Sequence, residues 1–219
     1  MSTNPHLALA PRCVGAPLEQ AAAVVLLVHG RGASADDMLG LVRWLADGHT
    51  AFIVPQAAGS SWYPQRFIAP LADNQPWLDW SLERIGQLVA LAAAHGRPAA
   101  RLVLVGFSQG ACLALEYAAR QPQRYGGVFG LSGALIEHGD TPRVYAGDLA
   151  GTPVLLSVSE RDPHIPLARV QRSAECLAAL GADVTTRVMP GGGHRIDAAE
   201  LQLIRQRLAA LSHDADAAG

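Results

Sequence analysis

Cysteine is scarce in this 219-residue sequence: Cys13, Cys112 and Cys176 are the three present. They are odd in number and widely spaced, which argues against a disulfide framework. No C-x-x-C pair and no zinc-ligand spacing occurs. Reduced thiols are the simplest account. Charge is scarce as well, at 16% of residues with a formal net charge of -2. The basic residues are scattered arginines, not the clustered stripe that a nucleic-acid binder needs, so no nucleic-acid partner is expected. Long apolar runs are also missing. The run from Ala21 to Val28 is too short to span a bilayer. The first twenty residues contain Pro5, Pro11, Pro17 and Glu19 and lack the apolar core of a secretion signal. These absences lead us to expect a cytoplasmic protein without stable membrane insertion.

Hydrophobic residues make up 50% of the chain, enough to bury a sizeable core. The length fits one domain over residues 1–219, with residues 1–20 partly extended and 212–219 a frayed tail. Apolar runs alternate with helix-length segments, the signature of an α/β fold with a mostly parallel sheet. The expected strands are Val24–Val28, Ala51–Val54, Leu102–Val105, Gly127–Leu131, Val154–Val158 and Val184–Val188. Most are continuous apolar runs, as in strands buried on both faces. Helices are expected from the capping box at Ser34 to about Asp47, from Asp79 to His95, from Gln109 to Arg120, from Leu167 to Leu180, and from the capping box at Asp197 to about Leu211. Residues 55–80 break this rhythm. They are long for a connection and hold Trp62, Trp77 and Trp80, and such loops are usually functional or mobile.

Four local patterns carry chemistry. Gly106-Phe107-Ser108-Gln109-Gly110 lies between an apolar strand and a helix, the context of a nucleophile elbow with Ser108 at its apex. Side chains at positions 106 and 110 would collide with neighbouring backbone. At a helix N-terminus, the dipole favours developing negative charge on Ser108. His29-Gly30-Arg31-Gly32 follows an early strand, where this kind of site takes one oxyanion donor. The backbone N–H groups of Arg31 and Gln109 are the expected pair. The Arg31 side chain is expected in an ordinary salt bridge, with an anionic substrate group as the alternative. His29 is expected to hold its loop by hydrogen bonds. Asp162 follows a late strand and is the expected orienting carboxylate, with Glu160 as its rival. His164 stands too close to Asp162 in sequence to fold back onto it easily. His194 ends the run Gly191-Gly192-Gly193 and is the expected base. The order Ser108, Asp162, His194 matches the α/β-hydrolase order. The other histidines, His6, His49, His95, His138 and His213, read as surface or loop residues.

Together, His29-Gly-Arg-Gly-Ala-Ser, Gly106-Phe-Ser-Gln-Gly-Ala, Asp162-Pro-His-Ile-Pro and Gly193-His194 resemble the carboxylesterase/phospholipase family of α/β-hydrolases, which includes the acyl-protein thioesterases. The resemblance runs from about residue 20 to 210. It implies the same triad, an oxyanion hole at Arg31 and Gln109, no cofactor and a possible homodimer. No histidine pair has metal-binding spacing, so no metal is expected, and the roughly twenty residues between Leu131 and Val154 leave no room for a large cap domain. The sequence departs from the acyl-protein thioesterases at Arg31, where those enzymes usually have Leu after His-Gly. Ser108 separates it from the dienelactone hydrolases, which use Cys. The expected activity is serine carboxylesterase action on small-molecule esters of short to medium chain length. Thioester or lysophospholipid hydrolysis on the same triad is the alternative. A non-catalytic binding or dimerisation module is opposed by the presence of all three triad residues. Trp62, Tyr63, Phe67 and Trp77, with Ile68 and Leu71, are the expected lining of an apolar groove beside Ser108.

Overall fold

The computed structural model describes residues 3–137, 139 and 143–216. Seven strands form one sheet: β1 (Arg12–Gly15), β2 (Ala23–Val28), β3 (Thr50–Val54), β4 (Leu102–Phe107), β5 (Gly127–Leu131), β6 (Pro153–Arg161) and β7 (Asp183–Gly192). Their order is β1-β3-β2-β4-β5-β6-β7. β1 pairs antiparallel to β3 and every other pairing is parallel. The described residues form five α-helices, four between strands and one after the last: α1 (Ala35–Leu45), α2 (Trp77–Ala94), α3 (Gln109–Arg120), α4 (Leu167–Ala179) and α5 (Ala198–Asp216). This is the α/β-hydrolase fold, and among the described residues it carries no large cap.

The continuous apolar strands are explained by helices on both faces of the sheet. Along β2, Val24, Leu26 and Val28 face one core with residues of α2, α3 and α4, among them Ile85, Leu113 and Val170. Ala23, Val25 and Leu27 face the other, with Met38 and Leu45 of α1 and Ile204 and Leu208 of α5. All six β2 side chains are buried, so a polar substitution at any of them would strand a polar group in one core or the other.

Both expected capping boxes form. Ser34 and Asp37 exchange side-chain and backbone bonds at the start of α1. Asp197 and Glu200 do the same ahead of α5, which joins the last strand's loop firmly to its helix.

Three expectations are corrected. β1 was not anticipated, because Arg12-Cys-Val-Gly is a short, exposed edge strand with no apolar run to mark it. The frayed tail expected from residue 212 is helical as far as Asp216, because Leu211 still packs on the sheet and Ser212 Oγ donates back to the Leu208 carbonyl. Residues 217–219 lie outside the described residues. His6 is fully buried instead of being a surface residue, because it fills the space between Trp62 and Ser81. His138 lies outside the described residues.

The chain leaves β2 for β3 on one side and returns to β4 on the other, so β2 and β4 are neighbours with Val28 opposite Gly106. A crevice opens above the carboxyl ends of two strands wherever connections diverge in this way. α3 must start at that point, close against the end of β2. A Cβ on Gly110 would overlap the Val28 carbonyl oxygen, and one on Gly106 would overlap the Gly110 carbonyl. Both obstacles are backbone and cannot swing aside. Gly110→Ala is therefore expected to destabilise the protein by about 3 kcal/mol or more, the upper range for overpacking, measured as a fall in the urea unfolding midpoint. An unchanged midpoint would show that α3 can shift away from β2.

Candidate active site

Each of the four sequence patterns ends at the carboxyl edge of the sheet. Ser108 sits between β4 and α3 with φ 55° and ψ −118°, a conformation that L-residues adopt only under constraint. Its backbone N–H donates to the Leu131 carbonyl at 2.9 Å, which pins the turn to β5. Its hydroxyl makes no capping bond to α3. Gly30 is the close neighbour across the turn, with the Phe107 carbonyl and the Ser108 Cβ at 3.3 Å from where its own Cβ would stand.

Asp162 and His194, 32 residues apart in sequence, are brought together at the ends of β6 and β7. Asp162 Oδ2 lies 2.8 Å from His194 Nδ1. The Asp162 side chain is fully buried, and its Oδ1 accepts the backbone N–H groups of His164 at 2.8 Å and Ile165 at 3.0 Å. The carboxylate is thus fixed by the turn that follows it and has its second oxygen free for the imidazole. Glu160, the rival acid, points elsewhere and accepts the Gly191 N–H at 3.0 Å. With Nδ1 engaged, Nε2 is the ring nitrogen of His194 not taken by Asp162. Phe107 packs against the ring of His194 at 4.9 Å, and His164 meets it edge-on at 4.9 Å.

Ser108 and His194 line one cleft of about 420 Å3 together with Gly30, Arg31, Tyr63, Phe67, Phe107, Gln109, Cys112 and their neighbours. Among the described residues, the Arg31 and Gln109 backbone N–H groups donate to no turn, loop or cap acceptor. Arg31 and Gln109 line the same cleft as Ser108 and come from two different elements. The side chain of Arg31 makes no salt bridge among the described residues. It donates to the Pro64 carbonyl at 2.6 Å and the Gln65 carbonyl at 2.5 Å, strapping residues 64–65 to the loop after β2.

The aromatic residues divide. Tyr63 and Phe67 line the cleft, whereas Trp62 and Trp77 do not. Trp62 is fully buried behind it, donating from its indole to the His29 carbonyl at 2.8 Å. Trp77 packs against His6 and Trp80, and Ile68 and Leu71 pack on the core. Sequence reasoning missed Arg66, Phe107, Cys112, His164 and Ile165 as lining residues. Helical spacing could have found Cys112, four residues after Ser108 and so on the same face of α3. Burial pushes the Cys112 thiol up to about 12, so it remains a neutral wall of the cleft.

The loop over residues 55–80 is held by buried polar side chains. Gln109 accepts the Trp62 N–H at 2.9 Å and donates to the Tyr63 carbonyl at 2.7 Å. His29 Nε2 accepts the Ala57 N–H at 3.0 Å, so its proton sits on Nδ1 and is donated to the Gly30 carbonyl at 2.7 Å. His6 Nδ1 accepts the Ala58 N–H at 3.0 Å, so its proton sits on Nε2 and is donated to the Trp62 carbonyl at 3.1 Å. Each imidazole needs an unprotonated nitrogen to do this. Burial pushes both pKa values down from the ordinary 6.5.

The phospholipase/carboxylesterase family model matches residues 10–212. A solved phospholipase/carboxylesterase from Dyadobacter fermentans is 40% identical, with a TM-score of 0.87 over 92% of this chain and 96% of that one. Acyl-protein thioesterase 1 of Gibberella zeae is 38% identical over 43% of this chain, a stretch that spans only 41% of that protein. Acyl-protein thioesterase 1 of Schizosaccharomyces pombe is 26% identical over 71% of this chain and 75% of its own length.

The two buried histidines set an acid limit on stability. Because their pKa values are lowered on folding, the unfolded chain takes up their protons first as pH falls. Stability is therefore complete above the unfolded value of about 6.5, falls below it, and levels off once the folded histidines protonate too. The urea midpoint is expected to drop between pH 7.5 and pH 5. That drop should be smaller in a His6→Asn/His29→Gln double variant, whose amide oxygens replace the accepting nitrogens. An equal drop in wild type and variant would refute the assignment.

Proposed function

The chain belongs to the phospholipase/carboxylesterase family, and we propose that it hydrolyses short- to medium-chain carboxylic esters through an acyl-enzyme on Ser108. The family and the relatives above make it a serine hydrolase acting on esters. The preference for oxygen esters and the assignment of residues are our own reading. The observation that carries it is the 2.8 Å contact of buried Asp162 with His194, in a cleft that His194 shares with Ser108 at its strained turn.

In this reading, Ser108 Oγ attacks the ester carbonyl carbon and gives its proton to His194 Nε2. Asp162 holds the imidazole in the Nδ1–H tautomer and stabilises the cation that forms. The backbone N–H groups of Arg31 and Gln109 receive the tetrahedral oxyanion. As the carbon–oxygen bond breaks, His194 protonates the departing alcohol and leaves an acyl group on Ser108. Water then attacks the acyl carbon, passing a proton to His194, which returns it to Ser108 as the acid leaves.

The cleft supports the chain-length assignment. Its volume is near the lower end of the ~300–1,000 Å3 usual for ligand sites. Buried Tyr63, Phe67 and Cys112 form its apolar wall. The exposed Arg31 guanidinium at its edge is poor company for a long apolar chain. The relatives named acyl-protein thioesterases favour a second reading, thioester hydrolysis, because the same triad attacks either carbonyl.

A series of p-nitrophenyl esters from acetate to palmitate tests the proposal. Turnover is expected to peak at short to medium chains and to fall on the order of 10⁶-fold in Ser108→Ala, as in the studied triad precedent. Fastest cleavage of palmitate, or a thioester cleaved in preference to its matched oxygen ester, would overturn it.

A further inference from the structure

The cleft is walled by two arginines and by no acid. Arg31 and Arg66 both line it, and among the described residues no Asp or Glu does. Neither guanidinium lies within 4.0 Å of a described carboxylate, whereas Arg12, Arg120, Arg143 and Arg187 each do. The sign is local, because the chain as a whole carries a formal net charge of -2.

Both guanidiniums are anchored by neutral acceptors. Arg31 donates to the Pro64 and Gln65 carbonyls. Arg66 donates from Nη2 to the His164 carbonyl at 3.0 Å, which places it beside the turn that carries Asp162. A carbonyl fixes the position of a guanidinium but cancels little of its charge. Each group has five N–H donors in a rigid fork suited to a carboxylate or phosphate, and among the described residues most of these donors have no protein acceptor. A cleft lined by one sign of charge with low-dielectric walls concentrates oppositely charged substrate.

Resting on the esterase reading above, we propose that the preferred ester carries an anionic group, a carboxylate or phosphate, received by Arg66 and Arg31 beside the scissile bond. The anion can sit on the acyl part or on the alcohol part of the ester, and the two placements need separate probes. For the acyl part, mono-4-nitrophenyl glutarate is compared with 4-nitrophenyl hexanoate. For the alcohol part, 4-acetoxybenzoate is compared with 4-acetoxybenzamide. kcat/KM is measured on the wild type, and equilibrium binding of the same four compounds is measured on Ser108→Ala.

In at least one pair, the anionic compound is expected to be favoured about tenfold in both measurements, the scale of one exposed charge-assisted hydrogen bond. The preference should shrink with added salt. It should disappear in Arg66→Gln, survive in part in Arg66→Lys, and be unchanged in Arg43→Gln, which alters an exposed arginine outside the cleft. The partial survival in the lysine variant separates a charge effect from mere support of the His164 turn. Equal or weaker binding of the anionic member in both pairs would overturn the proposal, as would a preference untouched by Arg66→Gln. Failure of wild type to turn over any ester would instead sink the esterase reading, and the binding ratios on Ser108→Ala would still decide the question of charge.

Discussion

The close approach of α3 to the end of β2 is the constraint on which the rest of the site depends. With no Cβ at Gly110, the helix can begin against the Val28 and His29 carbonyls. That forces the chain to reverse over one residue, and Ser108 takes the strain, a cost on the order of 1–3 kcal/mol. The strain persists because the surroundings fix it. Ser108 N–H is held by β5, Gly106 is paired with β2, and the first turns of α3 are buried throughout. The same geometry leaves the Ser108 hydroxyl without a capping bond and the Gln109 N–H without a turn, loop or cap acceptor among the described residues, so in the proposed reading one backbone event supplies both the nucleophile and half of the oxyanion site.

The turn also organises residues that are far away in sequence. Gln109 belongs to the elbow, yet its amide is spent on the Trp62 N–H and the Tyr63 carbonyl. His29 belongs to the loop after β2, yet its imidazole takes the Ala57 N–H and its carbonyl takes the Trp62 indole. Residues 55–80 therefore hang from the two loops that flank the cleft. Tyr63 faces the substrate space because Trp62, its neighbour, is locked behind it. In extended chain, successive side chains face opposite ways. The one that finds polar partners in the interior takes the interior.

This division shows what the sequence could and could not disclose. The inner strands were legible because strands covered on both faces must be apolar throughout, and β2, β4 and β5 are. The edge strand β1 was not, since an exposed edge carries no such requirement. The meeting of Ser108, Asp162 and His194 at one cleft was legible because each follows a recognisable strand, and a parallel sheet delivers its strand ends to one edge. The orientation of Trp62 was not legible. It depends on a carbonyl 33 positions away in sequence, and nothing in the local pattern of residues 55–80 separates a tryptophan that lines a cleft from one that supports it. His6 was misread for the same reason, because its partners Trp62 and Ser81 are distant. Arg66 escaped notice, and His164 was weighed only against Asp162 and not as a lining residue, because the two reach the cleft through each other, one side chain bonding the other's carbonyl across 98 positions.

Polar side chains used as struts have a further consequence. A loop this long would ordinarily be free to close over a substrate. Here its amides are bonded to two buried imidazoles and one buried amide, and releasing any of them would leave a buried polar group unpaired, at about 1–3 kcal/mol each. Opening the loop would break several such bonds together. The cleft is thus better regarded as preformed than as gated, and its selectivity must come from what lines it at rest. The resting lining is a short apolar wall of Tyr63, Phe67 and Cys112 next to two arginines with no acidic partner among the described residues, so chain length and substrate charge are the two properties on which this surface can discriminate.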